Sequence, residues 1–351
     1  MPANSIYLDH AATTPLLPAA RAAMLAGFEI WANPSSPHGS GRGVREVLEN
    51  ARERVRTALN WDGEVIFTSG ASEALAIGLG RAKADHQIIS AIEHDAVWRA
   101  ARDAAILPVI DGEPDLAALV AALRLPTRAI VAVQSINSET GTILLPGLQS
   151  RLIDEVRKAG GLVLSDCSQS AGKLALPDAD MVVVSAHKLG GPVGIGALLV
   201  KDFAMLEPSG GQERGYRSGT ENLPGALGFA AALQCGGFDN WHTSAEDRLD
   251  FKNRLSKTGE IVSFGWHCSH IFAVSAPKLS AAALLIRLDA LGFAISAGSA
   301  CSSGSLKTSR TLAGLGIAPD VAARTVRVSM GWNTTVDELG AFLAAWEEVN
   351  A

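Results

Sequence analysis

The chain has 351 residues, 48% of them hydrophobic, and its 36 acidic and 30 basic residues give a formal net charge of −6. This acidic balance argues against nucleic acid as a primary partner. The N-terminus lacks a signal-peptide pattern and no apolar stretch is long enough to span a bilayer, so we expect a cytoplasmic protein without membrane contact. The length favours two domains. The four cysteines have no ligand-like spacing, so neither a metal site nor a disulfide framework is expected.

The first third of the chain is predicted to contain both strands and helices. The strand predicted at 64–70 ends in a turn, and a helix begins directly after it. The start of that helix presents free N–H groups and a positive dipole end, so Gly70, Ala71 and Ser72 are predicted to bind a phosphate. Ordinary helix caps also use serine, so the motif alone is weak. The predicted elements are a strand at 6–8, helices near 17–30 and 43–60, a strand at 64–70, a helix opening at Ser72, and a strand at 87–91.

His94 follows the strand at 87–91. It lies in a loop at the carboxyl end of that strand, where an open α/β sheet collects its ligand contacts. An imidazole there can take part in proton transfer, although a structural histidine is the alternative interpretation.

Two strands in the middle of the chain each lead into a charged side chain. Asp166 follows the apolar run Leu162–Leu164, and Lys188 follows a second apolar run that starts at 181. In pyridoxal phosphate (PLP) chemistry a lysine carries the cofactor as a Schiff base and an aspartate keeps the pyridine nitrogen protonated. The pair therefore predicts a PLP site, whereas Lys188 alone would be interpreted as a lysine on an exposed turn after the strand.

The last third of the chain is predicted to contain a smaller α+β unit. Cys301 lies there in a loop of small residues flanked by Gly298 and Gly304, which is as compatible with a mobile catalytic thiol as with a structural cysteine. A domain boundary is predicted at Gly236-Gly237. From residue 115 to the C-terminus, the other predicted elements are strands at 129–135, 195–200, 271–275 and 293–296 and helices at 115–124, 224–234, 244–256, 280–291 and 336–349.

Nine segments of the chain, in order, resemble the signatures of cysteine desulfurases, fold-type I PLP enzymes that supply sulfur to iron–sulfur clusters. They are LDHAATTP, NPSSPHGSGR, FTSGASEA, EHDAV, DCSQSAGK, SAHKLGGPVGIGAL, GGQERGYRSGTEN, SAGSACSSGSL and VRVSMGWNT. The resemblance implies an α/β fold-type I transferase. The expected fold has a large domain at 13–237 with a mostly parallel central sheet flanked by helices, and a smaller α+β domain from 1–12 and 238–351 that carries the cysteine loop.

The resemblance also implies the roles of individual residues. Lys188, His94 and Cys301 are the expected catalytic residues, with Cys301 attacking the sulfur of L-cysteine to give alanine and a persulfide. Arg327 and Asn33 are expected to bind the substrate carboxylate. Thr220 is expected to bind the phosphate of the partner subunit's cofactor in a homodimer. The remaining expected cofactor contacts are Asp166, Gln169, Gly70, Ala71, Ser72, Ser185, His187, His94 and Ser138.

The sequence departs from the family pattern at three places. Ser138 stands where relatives have an asparagine that touches the phenolic oxygen of the cofactor, and Leu144 replaces a glutamine. Gln169 is therefore preferred over Ser138 as the donor to that oxygen, and Asn137 is a doubtful contact. The third departure is Ala74-Leu75, where relatives often carry asparagines.

Two other functions stay open at this point. One is a selenocysteine lyase or another class-V aminotransferase-like enzyme, and the other is a non-catalytic scaffold subunit of a sulfur-transfer complex. The cysteine loop resembles that of desulfurases which pass sulfur to an iron–sulfur scaffold protein. The chain ends soon after its last predicted helix, without the tail that many relatives use to hold that scaffold, so the acceptor is left open.

Overall fold

A computed structural model of the chain describes residues 5–146, 150–298 and 309–351, and Cys301 lies outside these residues. The helices are α1 Pro18–Glu29, α2 Gly39–Ala58, α3 Ala71–Gly80, α4 Asp95–Ala100, α5 Leu116–Ala122, α6 Arg151–Lys158, α7 Leu223–Cys235, α8 Ala245–Leu255, α9 Ala281–Ala290, α10 Arg310–Gly314, α11 Pro319–Ala322 and α12 Val336–Asn350. The strands are β1 Ile6–Tyr7, β2 Glu64–Thr68, β3 His86–Ser90, β4 Ala105–Leu107, β5 Val109–Ile110, β6 Glu113–Pro114, β7 Ala129–Ala132, β8 Thr142–Ile143, β9 Leu162–Asp166, β10 Met181–Ser185, β11 Gly196–Val200, β12 Glu260–Val262, β13 Trp266–His267, β14 Ile271–Ser275, β15 Phe293–Ala294 and β16 Thr325–Ser329.

A seven-stranded sheet in the order β2-β11-β10-β9-β7-β3-β4 forms the centre of the molecule. Only β11 runs against its neighbours, and the other pairs are parallel. In the pairing of β9 with β10, Val183 lies opposite Asp166, so both strands end at the same edge of the sheet. The predicted α/β fold with a mostly parallel central sheet is confirmed.

Helices cover both faces of this sheet because its strands are apolar on both sides. On β9, Leu162 and Leu164 belong to the apolar cluster that includes residues of α3 and α4. Val163, between them, belongs to the cluster that includes residues of α2 and α7. This two-sided burial explains why the strand segments are continuous apolar runs rather than alternating patterns.

A smaller unit follows α7. The antiparallel sheet β12-β14-β16 packs with α8, α9 and α12 around one apolar cluster. Leu8 belongs to this cluster, and β1 pairs in parallel with β15, so the start of the chain lies with its C-terminal part. The exact domain boundaries, 12/13 and 237/238, stay a prediction.

Most predicted elements are present within a few residues of their expected bounds. Helix α2 begins at Gly39 rather than at 43 because the His38 Nδ1 atom accepts a hydrogen bond from the Gly41 N–H at 3.2 Å and caps the helix. Helices α4, α6, α10 and α11 were not expected. Three of them have only four to six residues and therefore carry little periodicity, whereas α6 has eight residues and buries Leu152, Ile153 and Val156 on one face. None of the helices in the described ranges is both long and apolar enough to cross a membrane.

Candidate active site

A cavity of about 550 Å³ lies at the carboxyl ends of β9 and β10. Neither Asn33 nor Thr220 is part of its wall. The fold brings eleven of the predicted site residues together there, from segments that are far apart in the sequence: Gly70, Ala71, Ser72, His94, Ser138, Asp166, Gln169, Ser185, His187, Lys188 and Arg327.

Lys188 reaches the cavity from the turn that follows β10. The strand ends at Ser185, and a 3₁₀ turn, Ala186–Lys188, carries the lysine to the edge of the sheet. The Lys188 Nζ atom donates to the Ala12 carbonyl at 2.8 Å and also to the Ala11 carbonyl. Backbone acceptors from the N-terminal segment therefore hold this amine at the cavity wall.

Asp166 is buried at the end of β9. Its Oδ1 atom accepts hydrogen bonds from the Ser168 N–H at 2.9 Å and the Ser168 hydroxyl at 2.6 Å. Because both donors use Oδ1, the other oxygen can take a donor from the cavity. This is the arrangement that a protonated ring nitrogen requires.

Gln169 and Lys188 share an acceptor. The Gln169 Nε2 atom donates to the Ala11 carbonyl at 2.9 Å, and the same carbonyl accepts from Lys188. Since an amide nitrogen has two hydrogens, one is left for a second acceptor. The expected bond from Gln169 to the cofactor's phenolic oxygen stays a prediction.

The N-terminus of α3 forms another part of the wall. Gly70 precedes the helix with a φ of 148°, a conformation that favours glycine. The N–H groups of the first helical turn have no acceptor within the helix, which suits them to bind an anion. The Glu73 carboxylate accepts from the Ser69 N–H and pairs with the Arg217 guanidinium at 3.1 Å.

His187 contributes a neutral ring to the same region. Burial lowers its pKa to about 4, and the neighbouring Lys188 charge acts in the same direction. Its Nδ1 atom lies 3.1 Å from the Thr13 hydroxyl oxygen. Ser185, also in the wall, is buried. Their roles as phosphate contacts stay predictions.

His94 caps helix α4. Its Nδ1 atom accepts a hydrogen bond from the Ala96 N–H at 3.2 Å, which assigns the ring proton of the neutral form to Nε2. The cap fixes the ring at the cavity wall. This arrangement is compatible with the predicted role in proton transfer.

Arg327 enters the cavity wall from β16 and is buried. Its Nη2 atom pairs with the Asp9 carboxylate at 2.7 Å, and its Nη1 atom donates to the Ser138 carbonyl at 2.9 Å. Its Nε atom has no hydrogen-bond partner among the described residues. The expected contact with a substrate carboxylate stays a prediction, and Asp9 is a neighbour that the sequence did not reveal.

The segment after β7 uses its polar groups locally. The Asn137 Oδ1 atom accepts from the N–H groups of Glu139 and Thr140, both at 2.9 Å, while its amide donates to the Ile92 carbonyl at 3.1 Å. These bonds hold a turn together. Leu144 is buried in the apolar core, where the glutamine of relatives would need polar partners.

Asn33 and Thr220 are both exposed. The Asn33 Oδ1 atom accepts from the Ser35 N–H at 2.8 Å, so this side chain closes its own turn instead of reaching the cavity of the same chain. The roles predicted for both residues stay predictions.

Glu93 is an acidic residue of the wall that sequence reasoning missed. It is buried, its Oε1 atom accepts from the Gln134 N–H at 2.8 Å, and Oε2 has no hydrogen-bond partner among the described residues. Burial, reinforced by the negative charge of Asp166, raises its pKa well above the usual range. In the sequence, its position directly before His94 is the signal that could have identified it as a site residue.

Comparisons with known proteins identify the family. The model of the family "Aminotransferase class-V" matches residues 6–342. A cysteine desulfurase of Cereibacter sphaeroides is 33% identical, over 96% of this chain and 94% of its own. The chain belongs to the cysteine desulfurase family. A relative of this family from an Anaeromyxobacter species, cysteine desulfurase IscS, is 34% identical over 95% of this chain and 89% of its own.

A solved structure agrees with this family membership. A NifS-like protein from Rickettsia africae has a TM-score of 0.85 and 26% identity to this desulfurase-family chain, and covers 98% of it and 99% of its own length.

Members of the family use pyridoxal phosphate. The donor set of the cavity fits that cofactor, since Asp166 has an oxygen for the ring nitrogen, Lys188 supplies the amine and the N-terminus of α3 supplies N–H groups for the phosphate. The cavity wall therefore offers a partner to the phosphate, to the ring nitrogen and to the aldehyde of the cofactor.

Proposed function

We propose that the chain is a PLP-dependent cysteine desulfurase, which converts L-cysteine to L-alanine and places the sulfur on Cys301 as a persulfide. The observation that carries this proposal is that Lys188 and Asp166 follow neighbouring parallel strands and line one cavity. The curated relatives named cysteine desulfurase support the choice of substrate.

Each wall residue has a task in this reaction. Bound pyridoxal phosphate supplies a sink for the electrons that proton removal leaves at the substrate Cα. Arg327 binds the substrate carboxylate through its planar guanidinium. The Lys188 amine or the His94 ring takes the Cα proton, and Asp166 keeps a positive charge on the ring nitrogen by accepting its hydrogen bond.

Cys301 supplies the nucleophile. Its thiolate attacks the substrate sulfur, so that an S–S bond forms while the Cβ–S bond breaks, and the carbon keeps the electron pair and gains a proton. The products, alanine and a persulfide, balance without an added oxidant. A thiol with an ordinary pKa of about 8.5 is only a few per cent ionised at pH 7, so a positive group or a proton relay must assist.

A homodimer completes the proposed site. Thr220 is exposed and outside the cavity of its own chain, as a residue that serves a partner's cofactor would be. Helix α1 and the residues after it expose large apolar side chains, among them Leu25, Phe28 and Trp31 at 56%, 54% and 73%. Such a patch favours a protein contact, and a C₂ pair gives two identical composite sites.

The persulfide sulfur is proposed to pass to an iron–sulfur scaffold or another acceptor protein, in keeping with the family that the chain belongs to. The cytoplasm is the proposed compartment, because a thiol that cycles through a persulfide requires reducing surroundings.

The test compares PLP-loaded wild type with Cys301→Ser. Wild type given cysteine should release alanine and gain the mass of one sulfur atom on the Cys301 peptide. Cys301→Ser should still bind cysteine but release alanine slower by about 100-fold or more, because a hydroxyl is far less ionised than a thiol. Cys235→Ser, outside the cavity wall, is the matched control.

The other functions give different results in this test. A serine variant that releases alanine at nearly the wild-type rate would indicate a lyase that needs no protein nucleophile. Loaded wild type that releases no alanine would indicate a non-catalytic subunit.

A further inference from the structure

Lys173 lies directly behind the turn that carries Lys188. Its Nζ atom donates to the Lys188 carbonyl and to the Gln169 carbonyl, both at 3.1 Å. The Lys173 side chain therefore bridges the loop after β9, which follows Asp166 and holds Gln169, to the turn after β10.

The two hydrogen bonds of Lys173 join a network of hydrogen bonds around the Lys188 and Ala11 carbonyls. The Lys188 carbonyl also accepts from the Thr14 hydroxyl at 3.1 Å. The Gln169 amide and the Lys188 amine meet at the Ala11 carbonyl. Lys173 thus fixes the main chain of the two residues whose side chains share that acceptor.

The charge of Lys173 has no carboxylate partner in the described part of the chain, where its two bonds go to carbonyl groups. Burial lowers the pKa of its ammonium to about 8; the Cys268 thiol opposes this shift and the positive charge of Lys188 adds to it. His10 and His270 also face Lys173, and burial together with the Lys173 charge lowers the pKa of both rings. These rings are therefore neutral near pH 7. The positive charges that act on this region are those of Lys173, Lys188 and, next to His270, Arg248.

We infer that Lys173 is a positioning residue for the cofactor lysine, because its ammonium fixes the Lys188 carbonyl against that of Gln169. As a positive charge that interacts with Lys188, it also disfavours a second positive charge on the Lys188 amine. A neutral amine is the form that attacks an aldehyde and that accepts a proton. The inference rests on the proposed PLP site. It adds a residue that does not line the cavity.

The experiment measures how fast the apoprotein takes up PLP as a function of pH. Borohydride reduction and peptide mapping first establish that wild type carries the cofactor on Lys188. Lys173→Met and Lys173→Gln remove the charge, and the Gln variant keeps an amide donor in case the Met variant does not fold. Lys173→Arg keeps the charge. Lys201→Met is the control, since Lys201 pairs with Asp62 at 2.6 Å away from the cavity.

Both neutral variants should shift the uptake profile to higher pH by about one unit. Uptake at pH 7 should then be slower by roughly tenfold. The visible absorbance of the loaded protein should titrate at a correspondingly higher pH. Lys173→Arg and Lys201→Met should keep the wild-type midpoints.

Three results would overturn the inference. If the neutral variants kept the wild-type midpoints of the pH profiles, even with a lower melting temperature, the role of Lys173 would be structural alone. Lys173→Arg behaving like Lys173→Met would exclude a role for the charge. Wild type that carries no PLP on Lys188 would overturn the proposed function and this inference together, whereas the first two results leave the proposed function intact.

Discussion

Arg327 and Asp9 form an ion pair of 2.7 Å that joins strand β16 to the segment after β1. The Arg327 side chain is 5% exposed and that of Asp9 17%. The Ser296 hydroxyl also donates to Asp9 at 2.7 Å. Asp9 therefore neutralises the guanidinium that is proposed to bind the substrate carboxylate, and it competes with the substrate for the same donors.

Asp9→Asn should separate these two effects. The free energy of unfolding of the apoprotein should fall by about 3 kcal/mol, because a buried guanidinium loses its counter-ion. The KM for cysteine should nevertheless decrease, since the competing carboxylate is gone. Denaturant unfolding and initial rates check the two parts, with Arg327→Lys as the comparison that should raise KM through loss of the planar fork. A higher KM in Asp9→Asn would contradict the competition.

Glu93→Gln tests whether the buried acid next to Asp166 is neutral. Since the pKa of Glu93 is raised in the folded protein, the folded state binds the proton more tightly, and stability falls as pH rises above the ordinary value of 4.5. The amide of the variant has no such proton to lose. The variant should therefore gain stability relative to wild type with rising pH, by up to about 1.4 kcal/mol per unit.

Apoprotein unfolding between pH 5 and 8 measures this difference. The exposed Glu348→Gln on α12 is the control and should give a curve parallel to that of wild type. Glu93→Gln should also retain PLP, because the amide is neutral like the protonated acid. A constant difference across the pH range would show that Glu93 is ionised in the folded state.

The parts of the site that lie at strand ends could be predicted from the sequence. The apolar runs of β9 and β10 are long enough to identify two buried strands, and in a parallel pair both lead into the same edge, so Asp166 and Lys188 had to meet. The position of Gly70, Ala71 and Ser72 at the start of a helix in the cavity wall followed from a strand, a glycine turn and a helix start, which are all local signals, and their binding of phosphate stays a prediction.

The remaining parts depend on tertiary contacts that leave no local pattern. The Ala11 and Ala12 carbonyls that hold Lys188 are backbone groups, which every residue has. The raised pKa of Glu93 results from burial and from Asp166, which is distant in the sequence. Family resemblance named Asn33 as a substrate contact, but a side chain that closes its own turn can reach the substrate only across an interface or after a rearrangement.

The loop that carries Thr220 is anchored by a buried ion pair. Glu213 lies in this loop and pairs with Arg52 of α2 at 2.6 Å, and it also accepts from the Phe67 N–H at 2.8 Å. The Arg52 guanidinium lies 4.7 Å from the centre of the Phe67 ring. Glu213 thus fastens the loop to strand β2 and helix α2 at the same time.

Glu213→Gln should lower the free energy of unfolding by about 3 kcal/mol, because Arg52 loses its buried partner. The half-exposed pair Arg157–Asp178, at 2.7 Å, supplies the control, since Asp178→Asn should cost at most about 1 kcal/mol. Denaturant unfolding of the apoproteins measures both. Equal costs in the two variants would contradict a special contribution of the buried pair.

The proposed sharing of each cofactor site between two subunits predicts complementation between two defective chains. Thr220→Ala homodimers should lose PLP on dialysis, because each site lacks the threonine of its partner. Lys188→Ala homodimers cannot fix the cofactor covalently. In a mixed dimer, however, the Thr220→Ala chain keeps its own Lys188 and receives an intact Thr220 from the other chain, so one of the two sites is complete.

The two chains, co-expressed with different affinity tags, allow the mixed dimer to be isolated, dialysed and reduced with borohydride. The Thr220→Ala chain of that dimer should then carry PLP near the wild-type level, and a Thr57→Ala chain, altered at an exposed threonine of α2, should carry it in every combination. If Thr220 served the site of its own chain, the mixed dimer would hold no more cofactor than the Thr220→Ala homodimer, and a protein that stays monomeric would contradict the shared site directly.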